Sequence, residues 1–193
     1  KSGSIKSEPR IFVLSPPTGS GPKQSSGRPA LEAISREAPP AIGARAALLA
    51  DLLDGQKFFE FMPEKNWPIA SITKLVSAAV TSRNMPMHSA AAVTKEDFTG
   101  NNLTTLKESG IYTVSDLMLA MLIRSSNEAA EALARNFYVS ADRNGRGAFI
   151  REMNLLAESW GLGSTYFEDP TGLSPLNQST VKDLAVLTKK IYF

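Results

Sequence analysis

The chain has 193 residues, of which 42% are hydrophobic and 21% charged, a balance that supports one globular domain with a real core and excludes collagen, coiled coil and chain-long disorder. Its 21 Lys and Arg stand against 19 Asp and Glu, with six of the cations and three of the anions in the first 43 residues; the remainder is near neutral, which argues against a nucleic-acid partner, whose footprint needs positive charge on the folded part. Cysteine is absent and His88 is the single histidine, so disulfides, thiolate zinc sites and a cysteine nucleophile are excluded, a Ser-His-Asp triad would depend on one turn residue, and neither metal nor cofactor is expected.

Residues 1–43 carry 7 of the 12 prolines with interspersed Gly and Ser, a composition that cannot offset its own chain entropy and reads as a tether. Within it Ile11-Phe12-Val13-Leu14 is a candidate edge strand and Ala30 to Glu37 a candidate helical turn or two. No apolar run reaches the roughly 18 residues that span a membrane, and the residues after Lys1 lack a signal-peptide pattern, so no transmembrane segment is expected.

The ordered domain is expected over 44–193. Arg45 to Asp51 and Gln56 to Phe61, on either side of Asp54-Gly55, predict a β-hairpin. Trp67 to Val80, rich in Ala and apolar nearly all round, predicts a buried central helix entered just after Pro68. Thr113-Val114-Ser115-Asp116 has capping-box spacing and starts a helix at about Val114. That run meets Arg124-Ser125-Ser126-Asn127 before a second helix, Glu128 to Phe137. A further helix runs from about Gly147 to Trp160 and stops at Gly161, and a last one follows Ser179-Thr180. One hairpin and many helices make the class α+β, with helices packed on an antiparallel sheet.

Ser71-Ile72-Thr73-Lys74 is the pattern S-x-x-K. Residues three apart share a helix face, so hydroxyl and amine come within hydrogen-bond reach as nucleophile and base. Lysine, with a reference pKa of about 10.4, serves as a base only where burial or another cation disfavours its charge; an Ala- and Val-rich helix offers the burial. Ser20 to Lys23 and Ser179 to Lys182 match as well. The first lies in the tether and the second at a helix N-cap, and Ser71 alone opens a buried helix. The bland alternative for Ser71 and Lys74 is a helix-end serine and a snorkelling lysine. Ser125-Ser126-Asn127 adds S-x-N at a helix–helix joint, where capping is the ordinary reading. Ser82-Arg83-Asn84 also fits S-x-N and reads as the polar end of its helix.

Together, Pro68 to Leu75, Ser125 to Ala130, and Asp169-Pro170-Thr171-Gly172-Leu173-Ser174 through Asn177 to Leu184 resemble the low-molecular-mass penicillin-binding proteins, the serine D-alanyl-D-alanine carboxypeptidases and endopeptidases. Ala47 to Glu60 resembles their opening hairpin, and Phe149 to Asn154 is similar to the endopeptidase branch. The resemblance covers roughly residues 44 to 193. It implies a β-lactamase/DD-peptidase-like fold, Ser71 as acyl-forming nucleophile, Lys74 as general base, Ser125 as a proton relay and Asn127 as the anchor of a substrate amide. It further implies peptidoglycan stem peptides as substrate, β-lactams as covalent inhibitors and a location outside the cytoplasmic membrane.

One departure stands out: the family's third motif, Lys-Thr-Gly on a strand facing the nucleophile, is absent, and Pro170-Thr171-Gly172 lacks the lysine. In the family that strand gives one oxyanion amide, the nucleophile's own N–H being the other. The expectation is therefore a catalytic domain incomplete at its C-terminus, with sheet strands missing. Two alternatives remain open: a non-catalytic peptidoglycan-binding module of the same fold, and a class A-like β-lactamase, for which Glu168 is the loop carboxylate on offer.

Overall fold

The computed structural model describes residues 42–98 and 106–193. The tether read over 1–43, with its strand at Ile11–Leu14 and helical turns at Ala30–Glu37, lies outside the described residues up to position 41. The hairpin forms as expected. Strand β1 (Ala47–Ala50) pairs antiparallel with β2 (Lys57–Phe61), Ala47 facing Phe61, and the register shifts between Leu49 and Ala50. Its turn is made by carboxylates standing in for backbone acceptors: Asp51 Oδ1 takes the Leu53 N–H at 2.7 Å and Asp54 Oδ1 the Gln56 N–H at 2.8 Å.

The entry to the helix expected over Trp67 to Val80 differs from expectation. Trp67–Pro68 forms a short strand, β3, and helix α1 begins only at Thr73, running to Asn84. Ser71 stands before it in a single 3₁₀ turn, Ala70–Ile72. The cause is local. Ile69 N–H donates sideways to the Asn177 carbonyl at 3.0 Å, and Ala70 adopts a left-handed φ of +46°, so a continuous helical path from Pro68 is closed.

Beyond α1, β4 (Ala90–Ala92) pairs with β5 (Ile111–Thr113). Helix α2 (Val114–Arg124) starts at the expected capping box: Thr113 Oγ1 accepts the Asp116 N–H at 3.0 Å and the Asp116 carboxylate takes the Thr113 N–H at 3.2 Å. Helix α3 (Asn127–Arg135) follows, then the ribbon of β6 (Tyr138–Ser140) and β7 (Arg143–Asn144), helix α4 (Gly145–Ser159), strand β8 (Gln178–Ser179) paired with β3, and helix α5 (Val181–Tyr192). Gly161 takes its left-handed φ of +75° just past α4, as the sequence predicts. Among the described residues every strand pairs in a two-stranded antiparallel ribbon, so the expected helix-covered sheet is represented by the β1–β2 hairpin.

The most enclosed element is α3 rather than α1. All its residues from Glu128 to Ala134 are buried, whereas α1 leaves Leu75 exposed. Its alanines let neighbouring helices approach closely, and the core fills in around it with Val76, Val80, Leu117, Met121, Met153, Phe167 and Leu187. Phe137 meets Phe149 edge-on, with ring centroids 5.4 Å apart at 82°.

Candidate active site

Four side chains singled out in the sequence converge. Lys74 Nζ lies 3.2 Å from Ser71 Oγ and 2.8 Å from Asn127 Oδ1, and Ser125 Oγ lies 2.9 Å from Ser71 Oγ. Ser71 and Lys74 meet because the 3₁₀ turn runs into α1 without a break, which keeps both on one face. Lys74 is 2% exposed, whereas Ser71 and Ser125 are open to solvent. The amine is thus shielded from solvent and the Ser71 hydroxyl reachable from it.

The α2–α3 joint divides its labour between adjacent residues. Ser126 does the capping, accepting the Ala129 N–H at 3.1 Å and donating to Glu128 at 2.8 Å. Ser125, forced into a left-handed φ of +54°, turns its hydroxyl out toward Ser71, and Asn127 opens α3 with its carboxamide toward Lys74. Capping and site formation, opposed readings of this triplet, both hold for different members of it.

The remaining contact on the lysine was not foreseen from the sequence: the Thr171 carbonyl accepts from Lys74 Nζ at 2.6 Å. The loop carrying it is held from two sides. Asp169 Oδ1 accepts from Thr171 N–H and Oγ1–H at 2.6 and 2.8 Å and from Gly172 N–H at 2.6 Å, while its Oδ2 takes the Ser174 N–H at 2.6 Å. Fully buried Asn177 donates to Thr73 Oγ1 at 3.1 Å and to the Asp169 carbonyl at 2.9 Å, and accepts the Glu168 and Asp169 N–H groups. Ser77 Oγ adds a bond to the Pro170 carbonyl at 2.7 Å, pinning the loop along α1. A detectable signal existed: Asp-Pro-Thr-Gly-x-Ser, residues 169–174, is turn chemistry, since a carboxylate collects N–H groups two to five residues on.

Burial pushes the Lys74 amine below its ordinary 10.5, against an opposing pull from the Asp169 and Glu128 carboxylates. An ammonium has three N–H donors, and Lys74 Nζ has three acceptors around it: it donates to Asn127 Oδ1, the Thr171 carbonyl and Ser71 Oγ, which also accepts from Ser125. At Asp169 burial alone would raise the carboxyl pKa, but the N–H groups of Ser174, Gly172 and Thr171 and the Thr171 hydroxyl outweigh it and hold it below 3.8.

The other sequence candidates are placed elsewhere. Ser179 is buried against Thr165 Oγ1 at 2.8 Å and Lys182 pairs with Glu64 at 2.7 Å, so that S-x-x-K match is structural; Ser20 lies outside the described residues. Ser82 and Asn84 bond to the Ala79 and Val80 carbonyls of their own helix. His88 is exposed. Glu168 is exposed; its carboxylate accepts from Ser174 Oγ and touches none of Ser71, Lys74, Ser125 and Asn127. Among the described residues no helix is long and apolar enough to cross a membrane.

An exposed serine beside a buried lysine at a helix start, joined by a serine and an asparagine from a helix joint, makes a hydrogen-bonded serine–lysine cluster on an α+β scaffold. The profile described as D-alanyl-D-alanine carboxypeptidase, peptidase S11, matches residues 33–192, and the chain belongs to this family. It is 31% identical over 166 residues to a D-alanyl-D-alanine endopeptidase of Pseudomonas aeruginosa, covering 80% of this chain and 52% of that protein. It is also 40% identical over 126 residues to a D-alanyl-D-alanine endopeptidase of Haemophilus influenzae, covering 63% of this chain and 41% of that one. Among solved structures, the D-alanyl-D-alanine carboxypeptidase of Mycobacterium tuberculosis H37Rv superposes with a TM-score of 0.69 at 27% identity, over 78% of this chain and 56% of the other. The β-lactamase/DD-peptidase-like fold expected from the sequence is the fold observed. The chain spans about half the length of the curated relatives it matches.

Proposed function

We propose that this chain carries the acylation machinery of a serine DD-peptidase that acts on peptidoglycan stem peptides outside the cytoplasmic membrane and is acylated by β-lactams. The observation that carries the proposal is the buried Lys74 amine 3.2 Å from an exposed Ser71 hydroxyl, with Ser125 at 2.9 Å on its other side. Lys74 takes the Ser71 proton as Oγ attacks the carbonyl carbon, and the Ser71 N–H receives charge on the developing oxyanion. Ser125, bonded to Ser71, is placed to pass a proton to the departing amine, whose loss leaves the acyl group on Ser71 Oγ. Water then hydrolyses that ester. The relatives above include both endopeptidases and a carboxypeptidase, and the proposal takes in either cleavage.

A fluorescent penicillin tests the proposal. The protein is expected to be labelled covalently, Ser71→Ala to lose labelling with its fold intact, and Ser20→Ala and Ser179→Ala to label normally. Labelling of Ser71→Ala at the wild-type level removes Ser71 as nucleophile. An unlabelled wild-type chain that still binds isolated peptidoglycan would support a non-catalytic binding module instead, and rapid β-lactam turnover would support a β-lactamase.

A further inference from the structure

The loop that carries the Thr171 carbonyl also presses on the nucleophile's own backbone. Gly172 has a left-handed φ of +86°, and a Cβ built on it would fall 1.9 Å from the Ala70 carbonyl oxygen, 2.3 Å from its carbon and 3.0 Å from Ser71 N. Only a residue with no side chain fits there. The peptide it presses on is itself held in an uncommon shape. Ala70 has φ +46°, and its carbonyl accepts the Thr73 N–H that opens α1. Among the described residues no acceptor takes the Ser71 N–H, which leaves this donor for a ligand oxygen.

The turn that ends in Gly172 is stiff. Asp169 gathers the N–H groups of Thr171, Gly172 and Ser174, and Asn177 ties the Asp169 backbone to Thr73, two residues past Ser71. One rigid loop therefore touches both halves of the nucleophile apparatus: the Thr171 carbonyl holds the Lys74 amine at 2.6 Å, and the bare Gly172 Cα backs the Ala70–Ser71 peptide.

We infer that Gly172 is a positioning residue: its missing side chain lets the Asp169 turn pack flush on the Ala70–Ser71 peptide, fixing the direction of the Ser71 N–H as an oxyanion donor while the preceding carbonyl fixes the lysine. The inference rests on the reading of Ser71 as the acyl-forming nucleophile. Misdirecting a preorganised donor by a fraction of an ångström reduces the chemical step without weakening the preceding non-covalent encounter.

The control is Gly161→Ala. Gly161 shares the left-handed φ, at +75°, but has nothing within 4 Å of a built Cβ, so it carries the backbone strain without the contact. Gly161→Ala is expected to melt earlier by the backbone strain alone, and Gly172→Ala by more, because its Cβ also meets the Ala70 carbonyl. Gly172→Ala is expected to lower the acylation constant for a fluorescent penicillin by about 10- to 100-fold with its non-covalent affinity unchanged, while Gly161→Ala stays at the wild-type rate. A folded Gly172→Ala that acylates as fast as Gly161→Ala overturns the inference. If Gly172→Ala does not fold, Asp169→Asn loosens the same turn without adding a heavy atom; the same split between acylation and affinity is expected, and an unchanged acylation constant overturns it. The ¹⁵N–¹H resonance of Ser71, assigned through Ser71→Ala, is an independent readout. It is expected to move and to exchange faster in Gly172→Ala or Asp169→Asn but not in Gly161→Ala, and an unmoved resonance overturns the inference. Failure of the wild-type chain to label counts against the function proposed above, and the Ser71 resonance then decides this inference alone.

Discussion

Ser125 Oγ and Ser71 Oγ stand 2.9 Å apart although 54 positions separate them in the chain and different elements carry them. The contact exists because Ser125 breaks α2 in a left-handed conformation, and its hydroxyl is exposed and has no structural task among the described residues. Ser125→Ala is therefore expected to leave stability within about 0.5 kcal/mol of wild type. As loss of a proton relay it is expected to slow acylation by about a hundredfold or more. Stopped-flow acylation and thermal unfolding check both halves, and a wild-type rate would reduce Ser125 to a bystander.

Lys74→Arg is expected to be nearly as damaging as loss of the nucleophile. Guanidinium cannot surrender its proton at workable pH, and its planar fork does not match acceptors arranged around a single nitrogen. Retention of more than about a tenth of the acylation rate, equivalent to about 1.4 kcal/mol of barrier, would count against Lys74 as base.

The pH dependence follows from the same residue. Burial lowers the Lys74 pKa from 10.5, so the acidic limb of the acylation rate, where the amine gains its proton, is expected below that value. Glu128 favours the ammonium form; Glu128→Gln, which keeps an acceptor for Ser126, is expected to move the limb to still lower pH. A limb that stays in place or moves up would separate Glu128 from the base. For stability the sign runs the same way. Between the folded-state pKa of Lys74 and 10.5 the unfolded chain binds more protons at this site than the folded one, so this lysine's contribution improves as pH rises through that window. Below the window its burial is a standing cost.

Away from the site, Arg135 clamps Asp97 through Nε and a terminal nitrogen, both at 2.9 Å, and also donates to the Ala92 carbonyl. The Asp97 side chain is 2% exposed and that of Arg135 29%. Arg135→Ala strands a buried carboxylate and is expected to cost about 3 kcal/mol, at the lower end for such losses because Arg135 is partly solvated. Asp97→Ala combined with Arg135→Ala should cost less than the two single effects added. Urea unfolding of the three variants checks this.

At the capping box, Thr113→Ala is expected to cost about 1 kcal/mol, since the Asp116 N–H loses its side-chain acceptor. Retention of the full melting temperature would show that the α2 start is held by packing alone.

Much of this geometry was legible in the sequence because it follows from short-range rules. Three-residue spacing placed Ser71 beside Lys74, a capping box fixed the start of α2, and Asp-Gly marked the hairpin. What escaped has little sequence signature. The Thr171 carbonyl is backbone, identical in every residue, so no pattern announces that it faces Lys74. The two-residue pairing of Trp67–Pro68 with Gln178–Ser179 is too short for alternation to show, yet it helps delay α1 until Thr73. The central position of α3 is masked by its own composition: Glu128 and Glu131 belong to a residue type that is seldom buried, and here Ser126 and Arg146 satisfy them where they are buried.

The lysine's partners also set when the site can exist. Lys74 meets Asn127 across 53 positions and Thr171 across 97, contacts that form only after long loops have closed and are slow steps in folding. Until then the amine lies in water, where it keeps its proton, and Ser71 is chemically an ordinary serine. On the acyl-transfer reading proposed above, the reactivity of Ser71 is thus acquired with tertiary structure: in a chain still being synthesised or held unfolded Ser71 is unreactive toward a β-lactam, and its acylation reports the closing of the last of these loops.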